Sequence, residues 1–184
     1  MPAKKVSTLD AQVREHSEGR EMTANILPSA SAEKHYPIAF NLIPQIDVFC
    51  DNLYTKEEMK MVNETKKIME DYEMRITATT IRVPVYRSHS ESVNIELEKE
   101  VDLGAMREAL AKFPGVTVQD DPSKQEYPMP LYTSEKDDVY VGRLRRDESC
   151  EKSYNMWVVG DQIRKGAALN TLQIAETMIK NGWI

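Results

Sequence analysis

The segment VYVGRLRRDESCEKSYNMWVV, residues 139–159, sets the class of fold that we expect. Its two ends, VYVGRL and YNMWVV, are rich in the β-branched and aromatic side chains that favour strands. The polar turn sequence RRDESCEKS lies between them. Two strands joined by a short turn pair as antiparallel neighbours. The sequence therefore predicts an antiparallel sheet built around this segment.

Further strands and helices are predicted on the N-terminal side of this hairpin. The alternating patterns ITATTIRVPVY and SVNIELE and the short run VTV indicate three more strands. Thr55 and Glu58 form a capping-box pattern at the start of a helix that ends near Glu70, and Asp102 is an N-cap candidate for a helix through Phe113. A weaker pattern indicates a short helix within Leu9–Glu21.

The chain closes with a predicted helix from about Gln162 to Lys180, which the Asn181-Gly182 pair ends. Helices and strands therefore mix along the chain without a strict βαβ alternation. This arrangement favours an α+β fold with a mostly antiparallel sheet.

The composition limits the class of protein. The chain has 184 residues, of which 41% are hydrophobic and 29% charged, as in one ordinary globular domain. The net charge is −6 with scattered basic residues, which predicts no nucleic-acid partner. No apolar run is long enough to cross a bilayer, and the N-terminal MPAKKVST lacks the apolar core of a signal peptide, so we expect a cytoplasmic protein without a membrane partner.

The two cysteines, Cys50 and Cys150, have no CxxC spacing. They predict neither a disulfide framework nor a metal site. Cys50 has Asp51 beside it instead of the basic neighbour that a nucleophilic thiol needs, and Cys150 lies in a polar turn. We therefore interpret both cysteines as structural or incidental.

The stretch IRVPVYRSHSESVN, residues 81–94, holds two side chains with obvious chemistry. Arg82 can grip a carboxylate with its guanidinium fork, and the alternative is a strand-face arginine that makes a salt bridge or faces solvent. His89 can exchange protons near neutral pH, and the alternative is a loop histidine without a task. Seven residues of extended chain would place them roughly 23 Å apart, so they share a site only if the chain bends.

Glu57 and Lys60 lie three residues apart on the predicted helix that Thr55 starts. Their ordinary role is a surface ion pair of the helix. The sharper alternative is that the carboxylate holds a substrate ammonium group and the lysine holds a phosphate. The spacing alone does not separate the two.

Five segments, taken together and in order, resemble the aspartate-semialdehyde dehydrogenase family, and most closely its bacterial type. The resemblance covers roughly residues 22–180. The segments are HYPIAFNLIPQID (35–47), YTKEEMKMVNETKKIM (54–69), IRVPVYRSHSE (81–91), VYVGRLRRD (139–147) and WVVGDQIRKGAALNTLQIAE (157–176).

The resemblance implies a reaction. Enzymes of this family reduce L-4-aspartyl phosphate to L-aspartate 4-semialdehyde with NADPH, on the route to lysine, threonine and methionine. A cysteine thiolate attacks the acyl phosphate, phosphate leaves, and hydride reduces the thioester. The full-length family therefore uses NADP, whereas we expect this chain alone to bind none.

The resemblance also implies roles for individual residues. His89, within HSE, falls on the acid–base histidine, and Arg82 falls on the substrate-binding arginine. Glu57 and Lys60, within EEMK, fall on the positions that bind the substrate amine and phosphate. Gln162, in GDQIRKGAA, falls where the family has Asn or Gln near the cofactor and the active site.

These roles imply a bend in the chain. Because Arg82 and His89 would serve one substrate, we predict that the strand breaks between Tyr86 and Ser88 and that His89 folds back toward Arg82.

Two parts of the family pattern are missing from the printed sequence. It contains neither the GxxGxxG-type turn of the nucleotide-binding domain nor the NC[ST] segment with the nucleophile. A family segment STYQ, which carries an active-site glutamine, survives only as Val6-Ser7-Thr8, and Gln12 does not take over its role.

The chain therefore resembles half of the enzyme. We expect residues 1–21 to be a rewritten or truncated N-terminal segment and 22–184 to be the substrate-binding and dimerisation domain, with a sheet like that of the glyceraldehyde-3-phosphate dehydrogenase C-terminal domain and helices packed on one of its faces. This half is expected to form a homodimer, to bind substrate weakly or not at all, and to be inactive alone. The alternative is a non-catalytic scaffold that associates with itself.

Overall fold

A computed structural model describes residues 7–184, and the chain divides between Tyr86 and Arg87 into two compact units. The predicted boundary after Glu21 stays a prediction, and residues 1–6, which include Val6 of the predicted VST remnant, lie outside the described residues. The first unit contains helices α1 (Thr8–Ser17) and α2 (Lys56–Met69). The elements of the second unit are β1 (His89–Glu96), α3 (Leu103–Lys112), β2 (Val116–Val118), a 3₁₀ turn (Pro122–Lys124), α4 (Pro130–Thr133), β3 (Val139–Arg146), β4 (Ser153–Gly160), a π-helical turn (Arg164–Ala168) and α5 (Leu169–Lys180).

In the first unit, helix α1 is tied to the chain that follows it by the buried side chain of Gln12. Its Nε2 donates to the carbonyl of Thr23 at 2.7 Å, and its Oε1 accepts from the backbone N–H groups of Ile38 at 2.9 Å and Ala39 at 3.0 Å. Gln12 is 1% exposed, so these bonds satisfy its buried amide group and the buried N–H groups of Ile38 and Ala39 in place of water. The glutamine thus holds the first helix in the fold.

Helix α2 begins as predicted, with a complete capping box. The hydroxyl of Thr55 accepts from the N–H of Glu58 at 3.2 Å, and Glu58 Oε2 accepts from the N–H of Thr55 at 2.7 Å. The other carboxylate oxygen of Glu58 accepts from the N–H of Thr80 at 2.8 Å. Glu58 is only 6% exposed, and it therefore joins the start of α2 to the segment that leads to Arg82.

The predicted strand over residues 76–86 is wrong. The segment pairs only through Arg82, whose backbone exchanges two hydrogen bonds with Ile43. Pro84 has no N–H to donate to a ladder, and the N–H of Val85 turns back to the carbonyl of Val83 at 2.8 Å. The alternating side chains therefore belong to extended chain that lacks a partner strand.

The second unit confirms the predicted α+β class, with a four-stranded sheet in the order β1-β4-β3-β2. β1 pairs antiparallel with β4, β4 pairs antiparallel with β3, and β3 pairs parallel with the short β2. The hairpin of residues 139–159 is therefore present and forms the centre of the sheet. Asp102 caps α3 as predicted, with its carboxylate accepting from the N–H groups of Gly104 and Ala105.

The core of this unit lies between α3 and one face of the sheet. Met106 of α3 packs with Leu144 of β3 and Tyr154 of β4, and partly buried side chains surround them. Tyr154 is fully buried, and its hydroxyl accepts from the N–H of Val101 at 2.7 Å and donates to the carbonyl of Val101 at 2.6 Å. One side chain thus anchors the loop before α3 to the central strand.

The C-terminal helix starts differently from the prediction. The predicted helix from Gln162 opens with the π-helical turn, in which the N–H of Ala168 donates to the carbonyl of Ile163, five residues back. The α-helix follows from Leu169 and ends before Asn181, as predicted. α5 has no buried residue, and apolar side chains along and beyond it are more than half exposed: Leu172, Ile174, Ile179, Trp183 and Ile184.

Residues 7–184 contain neither a membrane-spanning helix nor a cluster of metal-binding side chains. No helix among them is both long and apolar enough to span a membrane. The same residues hold no group of three or more His, Cys, Asp or Glu side chains placed to bind a metal ion.

Removal of the Glu58 carboxylate should destabilise the first unit. Glu58→Ala leaves the N–H groups of Thr55 and Thr80 without acceptors, which costs about 1–3 kcal/mol for each buried group. We expect a clear fall in the free energy of unfolding, measured by urea titration with circular dichroism. Glu64→Ala, at an exposed position of the same helix, is the control and should change it by less than about 0.5 kcal/mol.

The same carboxylate should make stability depend on pH. The N–H of Thr55 lowers the pKa of Glu58, and the N–H of Thr80 adds to this against the opposing effect of burial. A lowered folded-state pKa stabilises the fold above the unfolded-state pKa of about 4.3, and this part of the stability disappears as the pH falls through the folded-state pKa. Between pH 6 and pH 3, the free energy of unfolding should therefore fall less in Glu58→Gln than in the parent chain, because the variant lacks the contribution of this one carboxylate. An equal fall in both proteins would contradict this account.

The hydroxyl of Tyr154 can be tested in the second unit. Tyr154→Phe leaves the N–H and the carbonyl of Val101 without their partner, and we expect a loss of about 1–3 kcal/mol in the free energy of unfolding. Fluorescence of Trp157, which lies in the same strand, reports this unfolding. Tyr132→Phe, at a tyrosine that is 66% exposed, is the matched control and should be near neutral.

Candidate active-site residues

His89 is the first residue of β1 and pairs with Gly160, the last residue of β4. β1 is an edge strand of the sheet, so one side of it has no neighbour within the unit. The imidazole of His89 is exposed. An exposed imidazole at the end of a strand is free to meet a substrate and to exchange protons with it.

The chain reaches His89 through a left-handed residue. Ser88 has a φ of 76°, a conformation that costs a non-glycine residue about 1 kcal/mol or more. Ser88 is 4% exposed, its N–H donates to Oε1 of Gln162 at 2.9 Å, and its hydroxyl lies 3.1 Å from that of Ser134. Residues 76–86 form no strand that could break, and β1 instead begins directly after the left-handed Ser88, whereas the return of His89 toward Arg82 stays a prediction.

Gln162 lies beside the residue that precedes His89. Its side-chain oxygen is occupied by the N–H of Ser88, and its side-chain NH₂ group remains for other partners. The structure thus brings Gln162 to the residue directly before His89, although the sequence separates Ser88 from Gln162 by 74 residues. The predicted role of Gln162 near a cofactor stays a prediction.

A buried ion pair, absent from the sequence analysis, lies next to these residues. Nε of Arg87 is 2.6 Å from Oδ2 of Asp161, although the N–H does not point along this line. Asp161 is fully buried and also accepts from the N–H groups of Glu135 at 2.7 Å and Ile163 at 2.9 Å. The sequence does contain a signal for this residue. An aspartate directly after the apolar strand YNMWVVG indicates a buried carboxylate, and such a carboxylate needs hydrogen-bond or ion-pair partners.

The surroundings of Asp161 favour its charged form. Burial alone would raise the pKa of Asp161. The N–H of Glu135, the Arg87 guanidinium and the N–H of Ile163 more than offset this, and the pKa lies below its ordinary value. The carboxylate therefore keeps its negative charge at neutral pH.

In the first unit, Arg82 is held so that its guanidinium fork stays available. Its Nε donates to the carbonyl of Pro28 at 3.1 Å, and its backbone pairs with Ile43. These contacts orient the side chain and use one of its five N–H donors. The two terminal nitrogens can still bind a carboxylate in bidentate fashion.

Glu57 and Lys60 lie on the first turns of α2. Nζ of Lys60 is 3.8 Å from Oε1 of Glu57, and the two side chains are 57% and 38% exposed, respectively. An exposed pair at this distance contributes little to stability. Both charges thus remain accessible to a ligand. The two residues can form the ordinary ion pair of a helix surface and still bind such a ligand.

The cysteines are free thiols. Cys50 is partly buried and Cys150 is exposed in the turn between β3 and β4. Cys50 belongs to a backbone turn, in which its N–H donates to the carbonyl of Tyr54 at 2.7 Å. The thiol of Cys150 donates to the carbonyl of Glu151 at 3.6 Å.

Comparison with known proteins identifies the family. The model of the family described as semialdehyde dehydrogenase, dimerisation domain, matches residues 3–165. The aspartate-semialdehyde dehydrogenase of Aquifex aeolicus is 48% identical over 182 residues, which are 99% of this chain and 52% of the relative. That of Helicobacter pylori (strain J99) is 54% identical over 146 residues, which are 79% of this chain and 42% of the relative.

A solved structure agrees with these sequences. The crystal structure of aspartate semialdehyde dehydrogenase II from Vibrio cholerae matches 95% of this chain and 50% of its own, with a TM-score of 0.86 and 38% identity. The chain spans about half the length of the curated relatives it matches. The expected fold, like the C-terminal domain of glyceraldehyde-3-phosphate dehydrogenase, is confirmed by these structural neighbours. The chain belongs to the aspartate-semialdehyde dehydrogenase family and carries its dimerisation domain.

Proposed function

We propose that these 184 residues are the substrate-binding and dimerisation half of an aspartate-semialdehyde dehydrogenase. The whole enzyme would reduce L-4-aspartyl phosphate to L-aspartate 4-semialdehyde and phosphate with NADPH. The observation that carries the proposal is the family match over residues 3–165, which contains all four predicted substrate and proton-transfer residues. These are Glu57, Lys60, Arg82 and His89.

Arg82 binds the α-carboxylate of the substrate in this proposal. Support comes from its Nε, which is occupied by Pro28, so the side chain is oriented before a ligand arrives. A preoriented guanidinium loses less conformational entropy on binding than a free one. Arg82→Lys would keep the charge and lose the two parallel hydrogen bonds.

Glu57 and Lys60 bind the substrate amine and the phosphate, respectively. Their separation of 3.8 Å and their exposure support this assignment, because neither charge is committed to a short, buried partner. Groups of opposite charge on adjacent helix positions suit a substrate that carries both an ammonium and a phosphate.

His89 moves the protons of the reaction. Its exposed ring at the end of β1 supports the role, since a general acid–base must reach the reacting atoms. In the proposed reaction of the whole enzyme it would accept the proton of the attacking thiol and would later protonate the alkoxide oxygen of the thiohemiacetal that forms when the thioester is reduced.

NADP is the cofactor that family membership implies for the whole enzyme, where it supplies the hydride. Among the described residues, Gln162 is the one candidate contact of NADP, and its oxygen is already bonded to Ser88. We therefore assign the 184 residues a role in binding the substrate.

The 184 residues alone should not turn over. The printed sequence has no NC[ST] segment, and loss of the covalent nucleophile removes the thioester intermediate itself. The measurement is phosphate- and NADP-dependent oxidation of the semialdehyde by the purified chain, with the Aquifex aeolicus relative as the positive control. Robust turnover that His89→Ala abolishes would contradict the prediction.

The chain should associate with itself, because the family domain that it carries is a dimerisation domain. Light scattering at micromolar concentration should give a mass about twice the 21.1 kDa of one chain. A mass equal to one chain across this range would contradict the proposed homodimer. A dimer without any activity after addition of a nucleotide-binding half would instead support the non-catalytic scaffold.

A further inference from the structure

We propose that Arg87 and Asp161 position His89: their buried ion pair holds the left-handed turn that leads His89 into β1. The inference rests on the proposed function for the importance of His89. Arg87 and Asp161 are positioning residues in this account, since neither is proposed to touch the substrate. The ion pair and the turn that it holds both lie within residues 87–184.

The start of β1 needs a support that the sheet does not supply. β1 pairs with β4 alone, and the partner of His89 in that ladder is Gly160, which offers no side chain to pack against. An edge strand frays from its ends unless other contacts hold them. The position of His89 therefore depends on what holds the residues immediately before it.

Two adjacent residues that follow the partner strand β4 hold the start of β1. Asp161 and Gln162 directly follow β4, the first binding Arg87 and the second binding the N–H of Ser88. Arg87 and Ser88 thus each have a partner, and together these contacts fix the two residues that precede His89. A residue at positive φ persists only where its surroundings determine it, as they do here.

Asp161 also connects this turn to a third segment. Its Oδ2, the oxygen nearest Arg87, accepts from the N–H of Glu135, and the hydroxyl of Ser88 pairs with that of the neighbouring Ser134. One fully buried carboxylate therefore joins the turn before β1, the residues after α4 and the residues after β4. Loss of either charge should loosen the place where these segments meet.

The same unit contains a matched ion pair away from His89. Nε of Arg107 lies 2.8 Å from Oδ2 of Asp120, whose side chain is 1% exposed. The side chains of Arg87 and Arg107 are 25% and 38% exposed, so the two pairs are alike in atoms, distance and burial. Arg107 lies on α3 and Asp120 follows β2, so this pair does not contact the turn before β1.

The test is amide hydrogen exchange by nuclear magnetic resonance on the 184-residue chain without substrate or cofactor. The variants are Arg87→Met, Asp161→Asn and the control Arg107→Met. We expect Arg87→Met and Asp161→Asn each to speed exchange of the Ser88 amide about tenfold, the size of one lost hydrogen bond, with smaller increases at His89 and Ser90. The amides of residues 94–96, at the other end of β1, should change little.

The imidazole signals provide a second readout. The chain has three histidines, and His16 and His35 lie outside residues 87–184, so they are internal controls. Arg87→Met and Asp161→Asn should each broaden or shift the His89 ring signals and leave the other two in place. A purely electrostatic effect would shift the His89 ring signals in opposite directions in the two variants without broadening them, because one loses a cation and the other an anion.

The outcomes separate positioning from a general structural role. Unchanged exchange rates of the Ser88 and His89 amides in Arg87→Met would overturn the proposal. An equal increase in exchange rate along the whole of β1 would also overturn it. So would an increase of the same size at Ser88 and His89 in the control Arg107→Met. Arg87→Met decides the matter if Asp161→Asn does not fold. Because no ligand is present, the result stands whether or not the proposed enzymatic function is correct, and a failure of that function would appear only in the activity assays.

Discussion

The eight-residue antiparallel ladder between β1 and β4 determines where most of the second unit lies. At one end, Ile95 pairs with Tyr154, whose buried hydroxyl anchors Val101 and hence the start of α3. At the other end, His89 pairs with Gly160, and the residues that follow β4 hold the turn before β1. A shift of register by one residue would send the side chains of β1 to the opposite faces and remove Ile95 from the core. The ladder thus couples the packing of α3 to the position of the proposed acid–base residue.

A buried carboxylate that collects backbone N–H groups recurs in both units. Glu58 accepts from the capping residue of α2 and from Thr80, and Asp161 accepts from Glu135 and Ile163. In each case the N–H groups lower the pKa of the carboxyl group and the charge remains at neutral pH. Such a group connects the segments that supply its N–H donors, because a buried carboxylate without hydrogen-bond partners carries a large desolvation cost. The proposed substrate residues thus follow rigid supports: Arg82 after the Glu58-bound segment, and His89 after the Asp161-bound turn.

Elements specified by neighbours in the sequence could be predicted, and those specified by distant partners could not. The caps of α2 and α3 and the β3–β4 hairpin rest on residues a few positions apart, and their predictions are confirmed. The strand predicted over residues 76–86 failed because its alternation does not reveal that the single partner is Ile43. The Arg87–Asp161 pair was missed for the same reason, since only the fold brings the end of β4 to the turn before β1. The functional roles predicted for Arg82 and His89 came from the family resemblance, because no local sequence pattern distinguished these residues from ordinary surface residues.

The central claim is that these residues are the substrate-binding half of the enzyme. Its most direct test is whether enzymatic activity appears when this chain is mixed with a separately produced second half. The part of the Aquifex aeolicus relative that this chain does not match, produced separately, would be mixed with this chain and assayed for phosphate- and NADP-dependent oxidation of the semialdehyde. We expect turnover from the mixture, none from either half alone, and a loss of at least about a hundredfold in mixtures with His89→Ala, the usual size of a general acid–base contribution. A mixture that forms a stable complex and still shows no turnover, or equal turnover with His89→Ala, would contradict the account.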